Sequence, residues 1–127
     1  MLKDFKTITL DKQDSVAVLK LNRPEKLNAF NMQMLEDMLD AIDYVDKDDS
    51  LNSLIISGSG RAFCAGADLS SGEKTFDKSF DTRGRFESDF RRDAGGILAL
   101  RIYNSLKPVI AACNGDAVGV GATMQLA

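Results

Sequence analysis

An apolar run, an amphipathic stretch and a second apolar run follow one another in the first half of the chain, and that order constrains the fold more than any other feature. Ser15 to Leu21 reads as a strand, with Val16, Val18 and Leu21 among its apolar positions. Leu35, Met38, Leu39, Ile42 and Val45 then recur at helical spacing, with Glu36, Asp37, Asp40 and Asp43 between them on or near the wet face. Leu54-Ile55-Ile56 is a short apolar run that meets Ser57-Gly58-Ser59-Gly60, the pattern of a buried strand leading into a loop. Strand, helix and strand at these lengths predict a right-handed parallel crossover, and so an α/β fold.

Local signals fill in the rest. Lys6 to Leu10 alternates polar and apolar before the polar turn Asp11-Lys12-Gln13-Asp14, which predicts a hairpin with Ser15 to Leu21. Pro24 in Asn22-Arg23-Pro24-Glu25 lacks a backbone donor and breaks the strand. Asn31 is a helix cap, because its short side chain accepts from an amide two or three residues on. The helix is predicted to stop near Asp46, where Asp46-Lys47-Asp48-Asp49 sets acid against the negative end of the helix dipole. Ser70 to Asp93 is the most polar stretch, punctuated by Phe76, Phe80, Phe86 and Phe90. From about Arg83 the spacing of Phe86, Phe90, Ile97, Leu98 and Ile102 is helical, and core packing explains those aromatics better than a ligand box does. Lys107-Pro108 should end that helix, Val109 to Cys113 reads as a buried strand, and Asn114-Gly115 opens a loop. Ala122 to Ala127 favours helix yet carries no closing Gly, Asn or Lys, which predicts that the chain is part of a longer protein.

Composition removes whole classes of chemistry. There is no histidine, so neither a Ser-His-Asp or Cys-His centre nor a His-ligated zinc site can come from this chain alone. The length of 127 residues supports one domain with a true core. A net charge of −3 gives no general pull toward nucleic acid. No apolar run reaches the 18 or so residues that a membrane span requires, and the N-terminus has no apolar signal core, which predicts a cytoplasmic protein. Cys64 and Cys113 read as reduced thiols, each a small buried hydrophobe.

Two small-residue loops remain, each following a strand. One is Ala65-Gly66-Ala67-Asp68 and the other is Gly119-Val120-Gly121 at a helix start. A helix start presents N–H groups without intrahelical partners, and small residues let a ligand oxygen approach the backbone. If the loops converge, two main-chain amides can hold one oxygen, which is an oxyanion hole and needs no titratable side chain. Two tight turns without function are the plain alternative. Met124 stands where the third small residue of a dinucleotide fingerprint belongs. Ser57-Gly58-Ser59-Gly60-Arg61 lacks the Gly-Lys-Ser/Thr of a phosphate loop.

Three segments carry a resemblance. They are Asn22-Arg23-Pro24-Glu25-Lys26-Leu27-Asn28-Ala29-Phe30, Gly60-Arg61-Ala62-Phe63-Cys64-Ala65-Gly66-Ala67-Asp68-Leu69, and Lys107-Pro108-Val109-Ile110-Ala111-Ala112-Cys113-Asn114-Gly115 with Ala117-Val118-Gly119-Val120-Gly121. In this order they resemble the N-terminal half of the crotonase superfamily, in particular the enoyl-CoA hydratase/isomerase proteins. The resemblance implies an α/β crotonase-like spiral of ββα units, incomplete here, with residues 1–127 forming the N-terminal part of a single domain. It implies an acyl-CoA thioester substrate in fatty acid metabolism, coenzyme A as part of that substrate with no separate cofactor or metal, and a homotrimer or hexamer. It places the backbone N–H groups of Ala67 and Val120 on the thioester oxygen. The family commonly has glycine at the position of Val120, and valine keeps the role if only its amide is used. Lys26, Leu27, Ala29, Ala65, Gly66, Asp68, Leu69 and Gly119 match positions lining the coenzyme A and acyl site. Lys26 either meets a phosphate or is a solvated loop lysine.

The resemblance also marks a departure. Hydratases of this family use two glutamates, and the position matching the first is Thr123, which is no general acid or base near neutrality. The second would lie beyond Ala127. An isomerase or another acyl-CoA activity therefore fits better than a two-glutamate hydratase, and a non-catalytic acyl-CoA binding or assembly module is the alternative. Residues 1–127 alone are expected to be inactive. Asp68 reads as a structural or ligand-orienting carboxylate, and Asp116 as a solvated loop end.

Overall fold

The computed structural model describes residues 2–70 and 93–127. Strand β1 (Ile8–Gln13) pairs antiparallel with β2 (Val16–Leu21), from Ile8 opposite Leu21 to Gln13 opposite Val16. The hairpin turn is thus Asp14-Ser15 rather than residues 11–14, and Asp14 takes a left-handed φ of 54°. Aspartate tolerates that conformation, and the exposed residues Asp11, Lys12 and Gln13 keep their ladder bonds at the wet end of the hairpin. The inward face of β2 is Ala17, Leu19 and Leu21, while Val16 and Val18 are only half-buried. The period of two puts either set inward, and Leu21 belongs with Leu19.

The predicted parallel pairing is present. Strand β3 (Ser53–Gly58) lies parallel to β2, with helix α1 (Met32–Lys47) between them in sequence. Strand β5 (Val109–Ala111) adds parallel to β3, so the four-stranded sheet runs β1-β2-β3-β5. A second sheet pairs β4 (Ala62–Cys64) with β6 (Asp116–Ala117), also parallel. Helix α2 (Ala94–Tyr103) packs on α1. The one-turn helix α3 (Val120–Thr123) continues into a 3-10 turn at Met124–Leu126. The core comprises Leu10, Leu19 and Leu54 from the sheet, Met34, Leu35, Met38 and Ile42 from α1, and Phe63 and Leu98.

Asn31 caps α1 as expected, its side-chain oxygen accepting from the Met34 N–H at 2.9 Å. Asp37 corrects the sequence reading, since it is 5% exposed rather than on the wet face. Its carboxylate accepts from the Thr7 N–H (2.9 Å), the Thr7 hydroxyl (2.7 Å) and the Gln33 amide (2.9 Å), and so is fully partnered. Burial of a carboxylate is tolerable only with such partners. The acidic end of α1 is met by cations from elsewhere. Arg101 bonds Asp43 at 3.1 Å and Asp46 at 2.5 Å, and the Lys107 ammonium donates to the carbonyls of Val45 and Asp48. The helix thereby reaches Lys47.

Other expectations change in the second half. Helix α2 closes at Asn104, well before Pro108, with the Asn104 N–H on the Leu100 carbonyl at 2.9 Å. The intervening residues turn the chain so that the Pro108 carbonyl can accept from the Leu54 N–H at 2.9 Å and start β5. Strand β5 is shorter than Val109–Cys113 and is not buried, because it forms a sheet edge and Ile110 is 52% exposed. Both thiols are free as expected, yet only Cys64 is buried, and Cys113 is exposed beyond the end of that edge strand. Burial pushes the Cys64 thiol pKa up. Phe76, Phe80, Phe86 and Phe90, and any helix beginning near Arg83, lie outside the described residues. No helix among the described residues is long and apolar enough to cross a membrane.

Candidate functional site

Three segments meet at one edge of the small sheet. Strands β4 and β6 run side by side, with Cys64 opposite Ala117, and the Val118 N–H donates to the Cys64 carbonyl at 3.0 Å. Glycines help the chains leaving the two strands to stay in contact. A Cβ on Gly66 (φ +96°) would lie 3.1 Å from the Val118 carbonyl oxygen, and one on Gly119 would lie 3.7 Å from the Gly66 Cα. Gly119 has φ 57° and ψ −123°, a conformation that side chains exclude. Gly121 has a different reason, since its Cβ would sit 2.4 Å from the Cys64 carbonyl oxygen.

The third segment is the turn after β2. Leu27 and Asn28 are both left-handed, with φ of 53° and 57°. A buried side chain pays for that strain. Asn28 Oδ1 accepts from the Arg23 N–H at 2.8 Å, while Nδ2 donates to the carbonyls of Ser59 (2.9 Å) and Ala62 (3.0 Å). The Ala65 N–H donates to the Leu27 carbonyl at 3.0 Å. Phe30 forms a parallel bridge with Ala67, its N–H donating to the Gly66 carbonyl at 2.7 Å and its carbonyl accepting from the Asp68 N–H at 2.8 Å. Asn28→Ala is expected to lower stability by about 2 kcal/mol, because it strands the Arg23 N–H and the Ser59 carbonyl, while the Ala62 carbonyl keeps the Asn114 amide at 3.0 Å. Urea unfolding checks this, with an unchanged midpoint as the contrary result.

These contacts determine which amides are left over. In a parallel bridge the residue opposite Phe30 turns its own N–H away, and Ala67 is that residue. Val120 is the first residue of α3 and has no intrahelical acceptor, while the carbonyl before it, of Gly119, accepts from the Ala122 and Thr123 N–H groups at 3.0 Å each. Among the described residues, neither the Ala67 nor the Val120 N–H donates a hydrogen bond. The two loops named from sequence are therefore adjacent, and each carries an unspent donor. Ala67 is exposed and Val120 half-buried.

The other named positions group around this pair. Leu27, Ala29, Ala65, Gly66, Asp68 and Gly119 belong to the interlocked segments. Lys26 is exposed on the 3-10 turn Pro24–Lys26, and Leu69 is 66% exposed. Thr123 is exposed, with its hydroxyl 3.4 Å from the Val120 carbonyl oxygen. Asp116 is exposed at the start of β6. Neither Ala67 nor Val120 lines either of two concavities. One is lined by Ile56, Phe63, Ile102, Val109 and Met124, the other by Asp43, Asp46, Lys47, Arg101 and Leu106.

Sequence reasoning gave no role to Arg23 or Asn28. The Arg23 guanidinium donates to the Ala29 carbonyl and, at 2.9 Å, to the Asp68 carboxylate. The available signal was Pro24, which forces a turn, beside an asparagine able to hold a left-handed φ. Hydrogen bonds from Ser70, with Arg23 beside them, hold the Asp68 pKa down to about 2. Such a carboxylate is a weak base, and its bonds to Arg23 and Ser70 tie it to the loop. Its folded pKa lies below the ordinary value. Its contribution to stability is thus complete above the unfolded pKa of about 4 and fades as pH falls through about 2. Acid titration of unfolding should show that slope in the wild type and lose part of it in Asp68→Asn; equal slopes would contradict the assignment.

Comparison with known proteins places the chain in a family. The family profile described as enoyl-CoA hydratase/isomerase matches residues 11–127. Enoyl-CoA hydratase AKT3-2 of Alternaria alternata is 45% identical over 113 residues, covering 89% of this chain and 36% of that protein. The 1,2-epoxyphenylacetyl-CoA isomerase of Escherichia coli is 38% identical over 122 residues, covering 90% of this chain and 42% of that one. The solved structure of enoyl-CoA hydratase EchA8_6 from Mycobacterium marinum superposes with a TM-score of 0.73 at 34% identity, covering 94% of this chain and 53% of that one. The chain thus spans less than half the length of these two curated relatives.

Proposed function

Because the chain belongs to the enoyl-CoA hydratase/isomerase family, we propose that the protein carrying it acts on an acyl-CoA thioester and stabilises the enolate between the N–H groups of Ala67 and Val120. The observation that carries this reading is the pair of unspent main-chain donors on touching loops. As the thioester carbonyl gains negative charge in the transition state, both hydrogen bonds strengthen, and one such donor typically contributes on the order of 3 kcal/mol. Both donors are fixed by the fold beforehand, so little reorganisation is needed when the charge develops. Leu27, Ala29, Ala65, Gly66, Asp68, Leu69 and Gly119 line the acyl and coenzyme A path, and the exposed Lys26 meets a phosphate of coenzyme A. No separate cofactor takes part, and the working form is a trimer or a pair of trimers.

Proton transfer contributes about another 10²–10⁴-fold and must come from another group. Thr123 does not supply it, and Asp68 is too acidic to serve. The carboxylate responsible lies outside residues 1–127, and these residues alone give no turnover. Thr123 favours a second reading, a module that binds acyl-CoA without turning it over. Assays of the full protein with crotonyl-CoA and with a 3-enoyl-CoA separate hydration from isomerisation. Binding of acetyl-CoA without turnover of either substrate would establish the second reading, and the absence of both binding and turnover would overturn the two together.

A further inference from the structure

We propose that Arg23 is a positioning residue for the Ala67 amide, acting through a chain of two peptide units that aims and polarises that N–H. The chain is legible in the hydrogen bonds. The Arg23 guanidinium donates to the Ala29 carbonyl. The same peptide unit carries the Phe30 N–H, which donates to the Gly66 carbonyl at 2.7 Å. That next unit carries the Ala67 N–H. All peptide bonds here are trans, so in each unit the N–H points opposite to its carbonyl. A cation at one end of the chain therefore lines up with a free donor at the other.

The geometry has two consequences. Fixing the Gly66 carbonyl on the Phe30 N–H fixes the plane of the Gly66–Ala67 peptide, and with it the direction of the Ala67 N–H. Chained hydrogen bonds also polarise one another, and this chain starts from a guanidinium cation. The second arm of Arg23 holds Asp68 at 2.9 Å, and the Asp68 N–H returns to the Phe30 carbonyl at 2.8 Å. One side chain thus braces both sides of the Phe30–Ala67 bridge, with only 15% of its surface exposed. Among the described residues the Val120 amide has no such source, since there the Gly119 carbonyl accepts from the neutral amides of Ala122 and Thr123. The two donors are unequal, and Ala67 is the one tuned by charge.

The catalytic use of this chain rests on the proposed function, while the chain itself does not, so the test has two arms. In protein labelled with ¹⁵N-alanine and free of ligand, Arg23→Gln should move the Ala67 amide proton resonance upfield and leave that of Ala122 in place. An unmoved Ala67 resonance overturns the chain. Should Arg23→Gln fail to fold, Arg23→Lys serves, because one ammonium cannot hold both acceptors as the fork does. It should give a smaller upfield shift, and no shift again overturns the chain. In the second arm, kcat on whichever enoyl-CoA the wild type turns over should fall about tenfold in Arg23→Gln, with KM within about twofold. A shifted resonance with unchanged kcat overturns the catalytic use. Absence of wild-type turnover refutes the proposed function and leaves the resonance arm to decide on the chain.

Discussion

Val120→Pro should lower turnover about a hundredfold or more while leaving the fold in place. Proline removes one thing that matters here, the backbone N–H. It does so at the first position of a helix, where its fixed φ fits and the missing donor is not needed by the helix itself. Helix α3 keeps its remaining bonds, because the Gly119 carbonyl still accepts from Ala122 and Thr123. Val120→Ala is the control. It keeps the amide and trims a side chain that stands close to Gly95, and it should keep most of the activity. Steady-state kinetics on the two variants, with circular dichroism melts beside them, checks the expectation. Equal activity of Val120→Pro and Val120→Ala would remove the Val120 amide from the mechanism.

Gly121→Ala should damage both fold and rate with a single methyl. The added Cβ would stand 2.4 Å from the Cys64 carbonyl oxygen and 2.8 Å from the Cys64 Cβ. The first atom is backbone in β4 and cannot swing aside, so the α3 loop must lift from the strand. Overpacking of this kind costs about 1–3 kcal/mol, and the lift separates the very loops whose contact sets the two amides side by side. Both the unfolding midpoint and kcat should fall, whereas Val120→Pro lowers kcat with little effect on the midpoint. A Gly121→Ala protein with wild-type stability and rate would show that the close approach to Cys64 is not needed.

The architecture was legible where periodicity and capping chemistry act locally. The apolar spacing of Leu35 to Val45 and the cap at Asn31 locate α1 to within a residue or two. The apolar run at Leu54–Ile56 locates β3 and its parallel partner. What failed depended on distant partners. Asp37 has the spacing of a wet-face residue, but Thr7, thirty positions earlier, buries it. The acidic end of α1 does fall where its charge predicts, at Lys47, but the partners that meet it, Arg101 and Lys107, come from beyond position 100 and leave no local signal. Ile110 and Cys113 read as core by composition, but Ile110 lies on an edge strand and Cys113 beyond its end.

The site divides in the same way. Glycine placement pointed to both loops, since Gly66 and Gly119 each need a positive φ that a reader of sequence can anticipate. Their convergence follows from β4 pairing with β6, two strands of three and two residues that periodicity cannot detect. The roles of Arg23 and Asn28 were hidden for a related reason. Both side chains act on carbonyls, of Ala29, Ser59 and Ala62, and carbonyls leave no mark in the sequence.

In a crystal structure of the full protein with an acyl-CoA enolate analogue, the analogue oxygen should stand about 2.7–3.1 Å from both main-chain nitrogens, of Ala67 and Val120. An oxygen held by side chains or solvent, with either nitrogen facing elsewhere, would contradict this expectation.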